Sequence, residues 1–352
     1  MSSDFPNRLR VAIASVLTPV QVRRLADADA RIEPLWQPDL YAPQRFEGDF
    51  GGDPSWRRPP AVQTRYDAMC DSADALFGLP DSQPAQLRRC VEANPKLRWV
   101  HTMPAGGGAQ IKAANLRPYD LDRLIITTSA GVHAATLAEF ALFGVLAGAK
   151  NLPQLRQHQQ AHLWDDNMTV RHVKDMTIAV VGMGHIGRLV AQRFLTFGAT
   201  VVGVNRSLRE VPGVEMHLDS DLVQVVARAD ALINCLPGTT ETEHLISAAV
   251  LARAKPGLIL VSLGRGRCVD ENALIEHLGT GQVGFAALDV VEREPLAIDS
   301  PLWDMPNVMI SPHNMAFSPH LIDDIVDLFA SNAKALLDGR PLENTINKQV
   351  FY

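Results

Sequence analysis

Uninterrupted apolar runs, rather than alternating ones, dominate the second half of the chain. "MTIAVVGM", "TVVGVNR", "ALINCLP", "LILVSLG", "GFAALDVV" and "NVMISPH" are β-branched or apolar stretches, several of them separated by helical patterns. Strands without polar alternation are buried on both faces, and in this arrangement they predict a parallel, doubly wound sheet. The first third repeats the alternation in shorter pieces. Strands are expected over Arg10–Val16, Asp74–Pro80, Leu97–Pro104 and Arg123–Ser129. After the first of them Thr18 offers an N-cap and Pro19 a first helical position. Gln37–Arg65, rich in Pro, Gly and Arg, reads as loop, and His133–Lys150 reads as a long helix. The fold class is therefore α/β, with two Rossmann-like, doubly wound parallel-sheet domains.

Length agrees, since 352 residues suit about two domains. The net charge of −6 argues against nucleic acid as the partner, because phosphate binding needs a basic face. Cys70, Cys90, Cys235 and Cys268 form no C-x-x-C pair, so neither a metal site nor a disulfide framework is expected. Cys235 reads as a small core hydrophobe. "MSSDFPNRLR" lacks the apolar centre of a secretory signal. The longest apolar run, "TLAEFALFGVLAGA", contains Glu139 and falls short of a membrane span. The expectation is a soluble cytoplasmic protein with no membrane partner.

Chemistry enters with "VVGMGHIGRLVAQRF", which sets Gly182, Gly184 and Gly187 in G-x-G-x-x-G spacing. An ordinary turn also carries glycines. Here a strand precedes the motif and an amphipathic helix follows it, the context of a dinucleotide fingerprint. The next strand, "TVVGVNRS", ends at Asn205 where an acidic residue would bond the ribose of NAD, with Arg206 and Ser207 behind it. Uncharged Asn205 does not repel a 2′-phosphate, and Arg206 can pair with one. NADP(H) is thus favoured, with NAD(H) the alternative if Arg206 points to solvent.

Three late strands end in reactive side chains: "LILVSLG" at Arg265, "GFAALDVV" running on to Glu292 and Glu294, and "NVMISPH" at His313. Ligands of open α/β sheets bind beyond the carboxyl ends of the strands. Reducing a 2-keto acid needs an anchor for the carboxylate, polarisation of the carbonyl and a proton for its oxygen. Arginine suits the first two tasks. Histidine suits the third, and a neighbouring carboxylate favours its imidazolium and orients the ring.

The chain resembles the D-isomer-specific 2-hydroxyacid dehydrogenases, glyoxylate/hydroxypyruvate reductases among them. "GVHAATLAEFAL", "VVGMGHIGRLVAQRF", "CLPGTTETEHLI", "SLGRGRCVDENAL", "LDVVEREPL" and "SPH" carry the likeness. It implies Arg265, Glu294 and His313 as the catalytic group and leaves Arg267 and Glu292 outside. Cofactor contacts are implied at His185 and Ile186, at Pro237 and Thr242, at Leu263 and Gly264, and at Asp289 near the carboxamide. Ala105, Gly106 and Gly107 of "TMPAGGG" are implied to meet the substrate carboxylate with Arg265. The likeness also implies a homodimer and a substrate-binding, flavodoxin-like domain that is discontinuous in sequence, residues 1–129 and 319–352. Residues 130–318 would form the dinucleotide-binding Rossmann domain, and catalysis would take place in a cleft closed by hinge motion.

The pattern departs in two places. Ser262 stands where the family has Asn, and "NMAFS" follows His313, placing Asn314, Met315 and Phe317 where smaller or apolar residues are usual. The activity expected is the interconversion of a small 2-keto acid and a D-2-hydroxy acid. The alternative is a dinucleotide-sensing, corepressor-like interaction protein on the same fold. An amino-acid dehydrogenase would want a catalytic lysine, and Lys112, the nearest candidate, sits in no motif.

Overall fold

The computed structural model describes residues 8–46 and 48–351. Most of the N-terminal stretch read as lacking a signal, Met1–Asn7, lies outside the described residues. The chain divides into two compact units.

The first unit runs to His133 and resumes at Phe317. Its elements are β1 (Leu9–Ile13), α1 (Pro19–Ala28), β2 (Ile32–Leu35), α2 (Pro60–Asp71), β3 (Ala75–Phe77), α3 (Pro84–Ala93), β4 (Trp99–Thr102), α4 (Gly108–Ala114), α5 (Pro118–Arg123) and β5 (Ile125–Thr128). All strand pairs are parallel, in the order β2-β1-β3-β4-β5, the flavodoxin-like order of doubly wound sheets. Thr18 caps α1 through a reciprocal capping box with Gln21, and Pro19 opens the helix.

Between Gln37 and Arg65 the loop expectation needs correction. A 3-10 turn forms at Pro38–Leu40, and α2 begins at Pro60. Proline at the first position preorganises the helix. Val62, Tyr66, Met69 and Cys70, at i, i+4, i+7 and i+8, then face the core. Strand β2 also escaped the hydrophobic reading, since it contains Pro34 and lies at the sheet edge. The anticipated strands are each shorter than their apolar runs, with turn residues claiming the ends.

The second unit spans Ala134–Ala316. It comprises α6 (Ala134–Ala149), α7 (Leu152–Gln160), β6 (Thr177–Val181), α8 (His185–Thr196), β7 (Thr200–Asn205), β8 (Glu215–Leu218), α9 (Leu222–Val226), β9 (Ala231–Asn234), α10 (Ala248–Leu251), β10 (Leu258–Ser262), α11 (Glu271–Thr280), β11 (Val283–Leu288) and β12 (Val308–Ile310). Its parallel sheet has the order β12-β11-β10-β9-β6-β7-β8. That is the Rossmann arrangement extended by one strand, with the switch point between β6 and β9. Strands β6, β9 and β10 are buried along nearly their whole length between two apolar layers, as their unbroken apolar runs require. Edge strand β8 has no apolar run because it is half solvated.

The long helix pattern resolves as α6, which ends at Ala149. Asn151 then takes a left-handed conformation and α7 begins at Leu152. Helix α12 (Leu321–Leu337) belongs to the first unit, where Leu321, Ile322, Ile325, Val326 and Phe329 pack in the core with Phe77 and Trp99. No single helix among the described residues is long and apolar enough to cross a membrane.

Candidate active site

Strand β6 delivers the glycine turn to the switch point, and its three glycines serve different ends. Gly182 has φ +96°, and a Cβ there would lie 2.8 Å from the Cys235 carbonyl. A Cβ on Gly187 would lie 2.0 Å from the Gly182 oxygen, so only glycine lets α8 pack this close to the strand. Gly184 is exposed, with nothing within 4 Å of the position its Cβ would take. It is also the N-cap of α8 and supplies no side-chain cap, so N–H groups of the first turn stay available. An uncapped helix N-terminus beside a Cβ-free approach fits a dinucleotide pyrophosphate. His185 and Ile186 form that first turn. Gly187→Ala should therefore displace α8 from β6, weaken dinucleotide binding about tenfold or more, about 1.4 kcal/mol, and lower the midpoint of thermal unfolding. Fluorescence titration of the free protein checks this.

Asn205, at the tip of β7, ties that turn in place. Its Oδ1 accepts from Met183 N at 3.4 Å, and its Nδ2 donates to Ser207 O at 3.2 Å. Arg206 and Ser207 are exposed, and Arg206 enters no ion pair among the described residues. The Glu241 carboxyl is lowered mainly by the Thr239 hydroxyl, with a smaller contribution from Arg206. Thr242 shapes the turn after β9: its hydroxyl accepts from Thr239 N at 2.9 Å and donates to Pro237 O. Cys235 packs with the core layer against β9, where burial pushes its thiol up to about 12.

Arg265 is presented through a residue the sequence reading missed, Asn234. This fully buried amide donates to Ser262 Oγ (3.1 Å) and Arg265 O (3.2 Å) and accepts from Leu236 N (3.0 Å). Its backbone carbonyl takes both Leu263 N and Gly264 N. Ser262 thus supplies an acceptor for Asn234, which accounts for its presence there. A Cβ on Gly264 would lie 2.2 Å from Leu236 O. The only signal for Asn234 in the sequence was one polar residue inside the apolar run "ALINCLP". Arg265 itself is exposed, donates to Gly264 O at 2.8 Å, and has no carboxylate partner among the described residues. Arg267, two positions on, is ion-paired to Glu243 at 2.8 Å. The strand end therefore offers one uncompensated guanidinium.

Asp289 follows β11 and is 2% exposed. Its Oδ1 accepts from Ser311 Oγ (2.8 Å), Asn314 N (3.0 Å) and Met315 N (3.2 Å), and its carbonyl accepts from His313 N (2.8 Å). One carboxylate oxygen is thus committed to the loop that carries the histidine. His313 sits at φ +53°, a conformation uncommon outside glycine and held by those bonds. Its Nδ1 meets Glu294 Oε2 at 2.7 Å, with both side chains about two-fifths exposed (42% and 39%). The carboxylate can only accept, so Nδ1 carries hydrogen and Nε2 is left to exchange a proton.

Glu292 faces elsewhere. It bonds His244 Nε2 at 2.8 Å and exchanges hydrogen bonds with Glu271. Asn314 Oδ1 is buried without a hydrogen-bond partner among the described residues. Phe317 packs against Phe46, both in the first unit. Strands β10, β11 and β12 are neighbours, so the ends leading to Arg265 and His313 lie about 10 Å apart at one sheet edge, two strand spacings.

In the first unit, Ala105–Gly107 follows β4 at the carboxyl edge of the five-stranded sheet. Gly106 is exposed. Gly107 is buried, and a Cβ on it would lie 1.8 Å from Thr102 Oγ1.

Residues 142–315 match the family described as D-isomer specific 2-hydroxyacid dehydrogenase, NAD binding domain. A glyoxylate/hydroxypyruvate reductase B from Pectobacterium carotovorum is 35% identical over 264 residues, which is 73% of this chain and 81% of the relative. A crystal structure of a D-isomer specific 2-hydroxyacid dehydrogenase family protein from Aeromonas salmonicida superposes with a TM-score of 0.76 at 29% identity, covering 97% of this chain and all (100%) of that one. An NADPH-dependent glyoxylate/hydroxypyruvate reductase from Sinorhizobium meliloti, solved with NADP and sulfate, gives 0.77 at 24% identity, covering 98% of this chain and 100% of that one; at this identity the likeness shows the fold alone.

Proposed function

Because this chain belongs to the D-isomer specific 2-hydroxyacid dehydrogenase family and is an NAD(P)-dependent oxidoreductase, we propose that it reduces a small 2-keto acid to the D-2-hydroxy acid, with Arg265, Glu294 and His313 as its catalytic group. The observation that carries this reading is the pairing of His313 Nδ1 with Glu294, with the unpaired Arg265 guanidinium two strands away on a dinucleotide-binding sheet. Bound NADPH would supply the hydride. Arg265 grips the carboxylate and polarises the carbonyl through its planar fork. His313 delivers the Nε2 proton to the oxygen as negative charge develops there. Glu294 keeps the ring in one tautomer and offsets its positive charge in the protonated form. Of the glycine-loop residues, Gly107 N already donates to Pro104 O at 3.2 Å, which leaves the N–H groups of Ala105 and Gly106 as the proposed carboxylate donors. Gly182, Gly184, His185, Ile186, Gly187, Pro237, Thr242, Leu263, Gly264 and Asp289 would hold the cofactor.

NADP(H) is the proposed cofactor. Asn205 brings no charge against a 2′-phosphate, and Arg206 stands unpaired behind it. Arg206→Ala should lower kcat/KM with NADPH about 10- to 100-fold, the worth of a charge-assisted contact, and leave NADH kinetics nearly unchanged. Equal losses with both cofactors would rule out this role for Arg206.

Glyoxylate and hydroxypyruvate, the substrates named for the relatives, are proposed as the first to try. A panel of 2-keto acids assayed with both cofactors, followed by chiral analysis of the product, tests the activity. An absence of reduction across the panel, or an L-product, would refute it. A cytoplasmic homodimer is proposed as the working form, with light scattering as the check on its mass.

A further inference from the structure

His101 lies on β4, fully buried, between two hydroxyls of the neighbouring strand end. Its Nδ1 is 2.8 Å from Thr127 Oγ1 and its Nε2 is 3.1 Å from Ser129 Oγ. Trp99 Nε1 donates to the same Thr127 oxygen at 2.8 Å, and Ser129 Oγ donates to Thr102 O at 3.1 Å. Phe77 and Phe329 close over the ring. His101 is absent from every motif in the sequence and plays no part in the proposed chemistry.

The proton positions in this row follow from counting. An indole N–H only donates, so Thr127 Oγ1 accepts from Trp99 and its own hydrogen must go onward. The available acceptor is His101 Nδ1, which is therefore bare. The ring hydrogen then sits on Nε2 and is donated to Ser129, whose hydrogen goes to the Thr102 carbonyl. Every polar atom is satisfied in one direction only, from Trp99 through Thr127, His101 and Ser129 to Thr102. Protonating Nδ1 would leave the Thr127 hydroxyl hydrogen without its acceptor, and burial alone lowers the imidazole to about 3. The row ends where the glycine loop begins: Thr102 Oγ1 donates to Pro104 O at 3.2 Å, and Gly107 fits only because it has no Cβ to strike Thr102.

We infer that His101, held as the neutral Nε2–H tautomer between Thr127 and Ser129, is a positioning residue that sets the Ala105–Gly107 backbone for the substrate carboxylate. This rests on the carboxylate role proposed above for that loop. The ring contacts no substrate. It orders the β4 end from which the loop departs.

Ser129→Ala removes one link and leaves the histidine in place, whereas His101→Phe keeps the ring shape and removes both bonds. Either should raise KM for the keto acid about five- to tenfold, the worth of one to two hydrogen bonds, with kcat and the NADPH dissociation constant within about twofold. Ser129→Thr, which keeps the hydroxyl, should restore KM. Deuterium uptake measured by mass spectrometry in a peptide covering Thr102–Ile111 should accelerate in Ser129→Ala without a matching rise elsewhere. Nitrogen shifts of the His101 ring should report hydrogen on Nε2. An unchanged KM and uptake in Ser129→Ala, a hydrogen on Nδ1, or a uniform loss of stability that Ser129→Thr fails to repair would each overturn the assignment. If instead the wild type reduces no 2-keto acid, the enzymatic reading fails, while the uptake and tautomer measurements still decide the local role of His101.

Discussion

Given the role proposed for Arg265, Arg265→Ala is expected to lower kcat/KM for the keto acid about a thousandfold, with the fold and NADPH binding intact. The size follows from the fork. Two charge-assisted hydrogen bonds to a carboxylate and a developing oxyanion are each worth about 1.5–3 kcal/mol, and both are lost together. The neighbouring cation, Arg267, does not replace them, because it is held by Glu243. Arg265→Lys recovers only part of the loss, since an ammonium is a point charge that cannot span both oxygens. Arg267→Ala is the control. Its surface ion pair is worth at most about 1 kcal/mol to stability, and turnover stays near that of the wild type. Steady-state kinetics of the three variants, with circular dichroism to confirm folding, make the comparison. Arg265→Ala within about tenfold of the wild type would remove Arg265 from the mechanism.

Given the role proposed for His313, His313→Gln is expected to lower kcat by about 10²- to 10⁴-fold, the range attributable to a placed general acid, and to leave KM for the keto acid nearly unchanged. Glutamine can still donate to Glu294, so the loop held by Asp289 has no reason to rearrange. What it lacks is a proton to give at the position of Nε2. Asp289→Asn provides the contrast. It weakens the bonds that Asp289 Oδ1 accepts from Ser311, Asn314 and Met315, so kcat falls and KM rises together. A kcat for His313→Gln within about tenfold of the wild type would place the proton donor elsewhere.

The buried strands of the second unit, the glycine turn and the strand ends bearing Arg265, Glu294 and His313 were all legible along the chain. Each depends on short-range rules: β6, β9 and β10 are buried on both faces and must be apolar throughout, and Gly182 and Gly187 occupy places where a Cβ would strike backbone. Edge strands β2 and β8 were not legible, because half-solvated strands need no apolar run. Helix α2 was hidden by the Pro- and Arg-rich composition around its start, although its i, i+4, i+7 spacing was present. Pairings between distant residues also stayed out of reach. That Arg267 is neutralised by Glu243 while Arg265 is not, that Asn234 braces Ser262 and the Arg265 loop, that one Asp289 oxygen holds the His313 loop, and that His101 is saturated by Thr127 and Ser129 all depend on which strands become neighbours and in what register. Backbone sterics and burial periodicity act over a few residues and leave their mark locally. A hydrogen bond between residues tens of positions apart leaves none, so only the tertiary structure decides which polar groups are left free to do chemistry.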